Sequence, residues 1–338
     1  MPSLGDFIYA QFIFHPPKPT TSFQSKTIII TGANGGLGKE TAKHLVSLEA
    51  TKVILACRSI SNGNKAKSEI ESQLKSKCPP SVLEVWQLDL ESPASVEAFV
   101  AKANALPRLD VFINNAGIHS SKFSTVYETE RCIGVNVIGT FLLALQLIPK
   151  LRQTAREFNT TPHLTTVTSA LYDSAKWPAE TGGKDIFEWF REEKNFDWMN
   201  QYNISKLMQI YILMKLSALV DPLDSNTKGA RPIVINSLDP CFCKTGLGSP
   251  EDLPRGMQLA GKIFTAAAAR TAEEGSRLVV QAASAGRETH GKYMRTGKVQ
   301  AYDKSALNKR RQEDLWKTLC VKVEGLQKGL VTVLPFLD

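Results

Sequence analysis

Six short runs rich in valine and isoleucine recur along the 338-residue chain: KTIII at 27–31, TKVILAC at 51–57, VLEVWQL at 82–88, DVFIN at 110–114, LTTVT at 164–168 and PIVIN at 232–236. Each is a compact apolar stretch, as strands buried on both faces tend to be. Helical periodicity fills the intervals at 37–49, 62–76, 93–105, 130–153 and 200–219, and returns at 271–284. Ser92 is placed to cap the third helix, with Pro93 in its first turn. Strands alternating with helices predict an α/β fold: one doubly wound parallel sheet with helices on both faces. There is no internal repeat and no sign of a second core. Residues 1–24 read as an N-terminal extension packed on the domain and 305–338 as a C-terminal helical tail. The domain itself, 25–304, departs from the alternation at 171–199 and 244–270, and such excursions tend to carry function.

Charge and cysteine usage narrow the function classes. The net charge of +8 is spread along the chain. Its densest cluster, Asn308–Arg311, runs straight into Glu313 and Asp314 and reads as a turn of solvated helix. No basic stripe with interleaved aromatics exists, which argues against a nucleic-acid partner. The excess suits an anionic ligand such as a phosphorylated cofactor. The six cysteines form no C-x-x-C pair and have no histidines at metal spacing, so no metal is expected, and isolated thiols suit a reducing cytoplasm. The longest apolar stretch, Cys132–Pro149, is interrupted by Asn136 and Gln146, so no transmembrane segment is expected. FIYAQFIF near the N-terminus reads as a short segment packed on the domain and ended by Pro16 and Pro17; lying on a membrane surface is the alternative.

Two local features carry chemistry. TGANGGLG, Thr31–Gly38, joins the first strand to the first helix. Glycines there let a pyrophosphate approach the helix N-terminus, where free N–H groups favour anions. YNISK places Tyr202 and Lys206 four apart, on one face of a helix. An ammonium beside a phenol lowers the phenol's pKa and equips it for proton transfer near neutrality. Taken alone, this pair reads better as part of an ordinary amphipathic helix.

Further motifs follow in order: Asp89–Leu90, NNAG at Asn114–Gly117, Asn136 in VNVIG and Ser169 in TVTSAL. Together with the glycine loop and the tyrosine–lysine pair, over roughly residues 25–300, the sequence resembles the short-chain dehydrogenase/reductase family. TGANGGLGKETAKHL with ACRS is similar to its retinol-dehydrogenase-like branch, and the stretch from PPKP to the glycine loop resembles fungal natural-product-pathway reductases. The resemblance implies a Rossmann fold and an oxidoreductase using NADP(H) on a small apolar carbonyl substrate, as a monomer or a homodimer paired through 130–153 and 200–219.

It also implies roles. Tyr202 would be the acid/base, Lys206 its pKa modulator and a hold on the nicotinamide ribose, Ser169 a hydrogen-bond donor to the substrate oxygen, and Asn136 the holder of a water linking Lys206 to solvent. Thr168 is the understudy for Ser169, although strand alternation points it to the other face. The cofactor would lie along Gly32, Asn34, Gly36, Leu37, Gly38, Lys39, Arg58, Asp89, Leu90, Asn115, Ala116, Gly117, Tyr202, Lys206, Pro240 and Thr245, with Asn114 bracing its loop. Asp89 also reads as a cap ahead of Pro93. Arg58 closes the second strand where an acid would select NAD, and its guanidinium suits the 2′-phosphate of NADP.

Cys241 stands where the family commonly has glycine after Pro240. The 171–199 excursion holds Trp177, Trp189 and Trp198, either as an aromatic wall for the substrate or as a small core. A non-redox enzyme on the same fold, or a silent NADPH-binding scaffold, are the rivals; the full Asn136–Ser169–Tyr202–Lys206 set argues against both.

Overall fold

The computed structural model describes residues 4–226, 232–247 and 255–330. Parts of the expected extension (1–3), of the second excursion (248–254) and of the tail (331–338) lie outside the described residues. Eight strands form one sheet: β1 Thr27–Thr31, β2 Lys52–Cys57, β3 Leu83–Gln87, β4 Val111–Asn114, β5 His163–Val167, β6 Val234–Asp239, β7 Tyr293–Arg295 and β8 Lys298–Gln300. Their order is β8-β7-β6-β5-β4-β1-β2-β3, parallel except for the β7–β8 hairpin. The chain starts at β1, winds out to β3, then returns to β4 beside β1 and proceeds the other way. That reversal leaves a crevice at the carboxyl ends of β1 and β4.

The helices are α1 Gly36–Ser47, α2 Ile60–Leu74, α3 Pro93–Asn104, α4 Thr140–Phe158, α5 Trp198–Asn226, α6 Arg255–Ala268, α7 Ala272–Ala283 and α8 Lys309–Leu326. Register lines up one row of side chains, Ile54, Ile29, Phe112, Leu164 and Ile235, on a single face of the sheet. That row packs under α3, α4, α5 and α8. The alternate row, Val53, Ile28, Val111 and their neighbours, packs under α1 and α7 with Leu45 and Val279. Both faces are thereby dry, which is why the strand sequences read as continuous apolar runs.

Caps fall where side chains offer them. Ser92 Oγ accepts from the Ser95 N–H at the start of α3, and Thr271 and Glu274 form a reciprocal capping box on α7. Asn308 caps α8, whose Leu315, Trp316, Leu319 and Val323 join the core beneath α5. Among the described residues one helix, Arg131–Phe158, is long and apolar enough to cross a membrane; 94% of its most apolar stretch is buried in the protein, so it is a core helix.

Candidate active site

Every expected catalytic residue sits at the carboxyl edge of the sheet or on the helices against it. β1 runs into Gly32, whose φ of +66° is a conformation that glycine adopts without strain. Gly38 has no room for a side chain: a Cβ would lie 2.6 Å from the Gly32 carbonyl oxygen and 2.7 Å from Asn115 Nδ2. Gly36 opens α1, so the loop offers unpaired main-chain N–H groups beside exposed Asn34 and half-buried Leu37.

The brace of this loop is Asn115. Its Nδ2 donates to the Thr31 carbonyl (2.8 Å), while the N–H groups of Asn115 and Ala116 donate to Thr31 Oγ1 (3.0 and 2.9 Å). Asn114 is the residue expected to brace its own loop, Asn114–Gly117. Asn114 instead ends β4, buried, and its Nδ2 finds no partner among the described residues. One step along a pleated strand reverses the side chain's direction, and that step separates the two asparagines.

Asp89 behaves as a local cap, accepting the Glu91 N–H on Oδ1 (3.0 Å), and Leu90 is buried with its carbonyl held by the Tyr127 hydroxyl. Lys39 points to Glu69 on α2, 2.7 Å away. Arg58 is exposed at the end of β2. Its one ionic neighbour among the described residues is Glu91 at 3.5 Å, and that carboxylate is already gripped by Arg131 at 2.6 and 3.0 Å.

Tyr202 and Lys206 lie on α5. The Ser169 hydroxyl hydrogen-bonds the Tyr202 side chain, whereas Thr168 turns away and donates to the Leu238 carbonyl. Lys206 Nζ donates to the Val167 carbonyl (3.0 Å) and to Gln209 Oε1 (3.1 Å), and lies 5.5 Å from the Tyr202 ring centre. Burial lowers the Lys206 pKa to about 8. Burial also pushes the Tyr202 phenol well above 10, helped by Cys132 and Asp239 and opposed by the Ser169 hydrogen bond. The expected lowering of the phenol by Lys206 is therefore not present in this arrangement: the ammonium bonds the Val167 carbonyl and Gln209 Oε1, and desolvation dominates.

Asn136 occupies a π-helical turn, Gly134–Gly139, of the kind that often marks functional positions. Its side chain is fully engaged, accepting from the Ile118 N–H (2.8 Å) and donating to the Ile118 carbonyl (3.0 Å) and Ser205 Oγ (3.0 Å). Its main-chain carbonyl takes a hydrogen from Gln209 Nε2 at 2.7 Å. The Gln209 carboxamide links Asn136 directly to Lys206. Lysine can only donate and a carbonyl can only accept, which fixes the amide's orientation.

Sequence reasoning missed Gln209, His119 and Asp239. The His119 ring packs 5.4 Å from the Tyr202 ring and 6.1 Å from that of Trp198. Asp239, at the end of β6, accepts from the N–H groups of Ala170 and Cys241 and pairs with Arg295 at 3.3 Å. It ties the residue after Ser169 to the loop of Pro240 and Thr245; burial raises its pKa. Cys241 holds φ +66° in spite of its side chain. Thr245 abuts Gly36, where a Cβ would come within 3.1 Å of it.

Of the three tryptophans, Trp177 packs against Tyr211 and Arg311, and Trp189 against Phe190, both over the main core. Only Trp198 reaches the tyrosine's surroundings, through His119. The aromatic wall is thus mainly core, because Phe187 and Phe190 are buried and draw the loop inward.

The sequence model described as short chain dehydrogenase matches residues 26–159. A short chain dehydrogenase/reductase of Cryptosporiopsis sp., dmxR8, is 36% identical over 96% of this chain and 99% of its own. This chain belongs to the short-chain dehydrogenase/reductase family. As a family member it is an oxidoreductase, and the family's cofactor is NAD or NADP. The short chain dehydrogenase atnD of Emericella nidulans is 40% identical over 92% of this chain and 96% of its own. The NADPH-bound carbonyl reductase from chicken fatty liver, at 20% identity, shares the short-chain dehydrogenase/reductase fold over 82% of this chain and all of its own, with a TM-score of 0.58. The site's residues fit a dinucleotide. Gly32, Gly36 and Gly38 clear its path at the α1 N-terminus, and Gly117 lies so close to Lys206 that a Cβ would sit 3.8 Å from its Nζ.

Proposed function

We propose that the chain is an NADPH-dependent carbonyl reductase, reversible as an alcohol dehydrogenase, acting on an apolar ketone or aldehyde of the natural-product kind. The observation that carries this reading is the meeting of Ser169, Tyr202 and Lys206 beside Gly117 at the mouth of the sheet. NADPH, when bound, supplies the hydride. The chain's own groups handle the proton. The Ser169 hydroxyl donates a hydrogen bond to the substrate oxygen and holds it against the phenol. Tyr202, kept protonated by its burial, gives its proton to that oxygen as negative charge develops there. Lys206 keeps positive charge nearby up to about pH 8. Arg58 supports the choice of NADPH, since a guanidinium at the end of β2 whose ionic contact among the described residues is loose is available to a 2′-phosphate.

Tyr202→Phe tests the reading. It removes the hydroxyl and keeps the ring. Ketone-dependent NADPH oxidation should fall by roughly 10²–10⁴-fold with NADPH binding kept. Turnover within a few-fold of wild type would reject the assignment.

A further inference from the structure

Seventeen large apolar side chains are exposed among the described residues, and ten of them lie on the N-terminal segment, on α6 or in the loop leading to it. Leu4, Phe12 and Ile13 belong to the first, Leu259, Ile263 and Phe264 to the second. Leu4 is 74% exposed and Leu259 70%. At the size of such side chains the ten present on the order of 1,000 Å², against roughly 300–600 Å² for the largest patch on an ordinary monomer.

The two segments form one surface. Phe264 stacks with Phe7 at 6.3 Å and with Phe242 at 5.4 Å. The N-terminal segment is fastened from beneath by polar groups. Gln11 Nε2 donates to the carbonyls of Phe242 (2.9 Å) and Ala268 (2.6 Å), and Arg270 donates to those of Ala10 and Phe14. Its amide thus points into the protein while Phe12 and Ile13 point out.

The charge of the surface selects its partner. Lys244 and Lys262 are exposed along it, α6 has no acidic residue, and Asp6 is the one acid of the described residues there. Two copies placed face to face would oppose cations; an anionic lipid surface complements them. The lysine stems can lie along the apolar face with their ammonium groups among lipid headgroups. We propose that this corner seats on an anionic membrane surface, with the N-terminal segment and α6 lying in the interface plane. The loop that leads to α6 carries Thr245, so the lipid would adjoin the site's entrance.

The test uses the full chain and vesicles of phosphatidylcholine with about one third phosphatidylserine. Flotation should carry the protein with these vesicles, about tenfold less with pure phosphatidylcholine, and less again in high salt. Phe12→Glu with Ile13→Glu, and separately Lys244→Glu with Lys262→Glu, should each weaken binding tenfold or more at unchanged melting temperature. These positions are exposed, so the fold tolerates them. Failure to float, or binding indifferent to both pairs, overturns the proposal. So does a wild-type dimer that Phe12→Glu with Ile13→Glu splits into monomers, because a second copy would then cover the face. Flotation is read without turnover, so it stands or falls apart from the reductase reading.

Discussion

Gln209→Leu is predicted to move the alkaline limb of the pH–rate profile to lower pH, and Gln209→Glu to move it up. The wild-type carboxamide makes one charge-assisted bond to Lys206 (3.1 Å) and one neutral bond to the Asn136 carbonyl (2.7 Å). A bond to a charged group is worth about 1.5–3 kcal/mol and a neutral one about 1 kcal/mol. Leucine removes both. The charged form of Lys206 then loses an acceptor in a buried site, and at about 1.4 kcal/mol per pKa unit its pKa falls by roughly 1–2 units from about 8. At neutral pH most of the lysine would be uncharged, so turnover drops roughly tenfold and NADPH binds more weakly. Glutamate also forfeits the bond to Asn136, so the folding cost is shared, but its carboxylate holds the ammonium charged. The assay is ketone-dependent NADPH oxidation from about pH 5 to 10, with cofactor affinity from fluorescence titration. Limbs in both variants within about 0.3 unit of wild type would refute the idea that Gln209 governs Lys206. An amide cannot pass a proton without tautomerising, so this bridge positions Lys206 and does not serve as a wire.

Three further outcomes are expected. Cys241→Gly should be more stable than Cys241→Ala by about 1 kcal/mol in urea denaturation, because φ is +66° there and a Cβ is strained in that region; alanine proving the more stable would remove the strain argument. Arg58→Asp should reverse a preference for NADPH of tens-fold or more, read as kcat/KM for the two cofactors, since a charged hydrogen bond of about 1.5–3 kcal/mol is lost and a repulsion gained; equal values in wild type would show that Arg58 does not read the phosphate. Lys206 titrates at about 8 when folded, below its ordinary 10.5, so the folded chain binds fewer protons than the unfolded chain between those values and stability rises with pH across that window. Lys206→Met should therefore match or exceed wild-type stability at pH 7 and lose that advantage towards pH 10, with urea midpoints as the check; a constant difference would contradict the shift.

The strands were legible because burial on both faces leaves a run of apolar residues that little else produces, and the six runs each overlap a strand in their order. The glycine loop, Ser169, Tyr202 and Lys206 were legible because each motif has fixed spacing. Asn114 and Asn115 could not be told apart, since only the pleat decides which one turns towards Thr31. Gln209 sits in LMQIYILM, where a polar residue looks like a tolerated interruption; its partners lie 73 residues back, at Asn136, and three back, at Lys206. Asp239 is hidden for the same reason, as its contacts with Ala170 and Arg295 come from distant strands meeting at one edge. Trp177 and Trp189 stay open between pocket and core in the sequence because tryptophans in an irregular stretch carry no mark of which way the loop folds.

The C-terminal helix also bears on how the chain is made. Residues 309–326 supply Leu315, Trp316, Leu319 and Val323 to the flank of α5, and Ser305 gives its carbonyl to the Tyr211 hydroxyl on that same helix. During synthesis the helix bearing Tyr202 and Lys206 leaves the ribosome about a hundred residues before its cover does, which at roughly 5–20 residues per second is an interval of 5–20 seconds. Through that interval the apolar flank is bare. The flank of the helix that carries Tyr202 and Lys206 thus waits for residues 309–326 before it is buried.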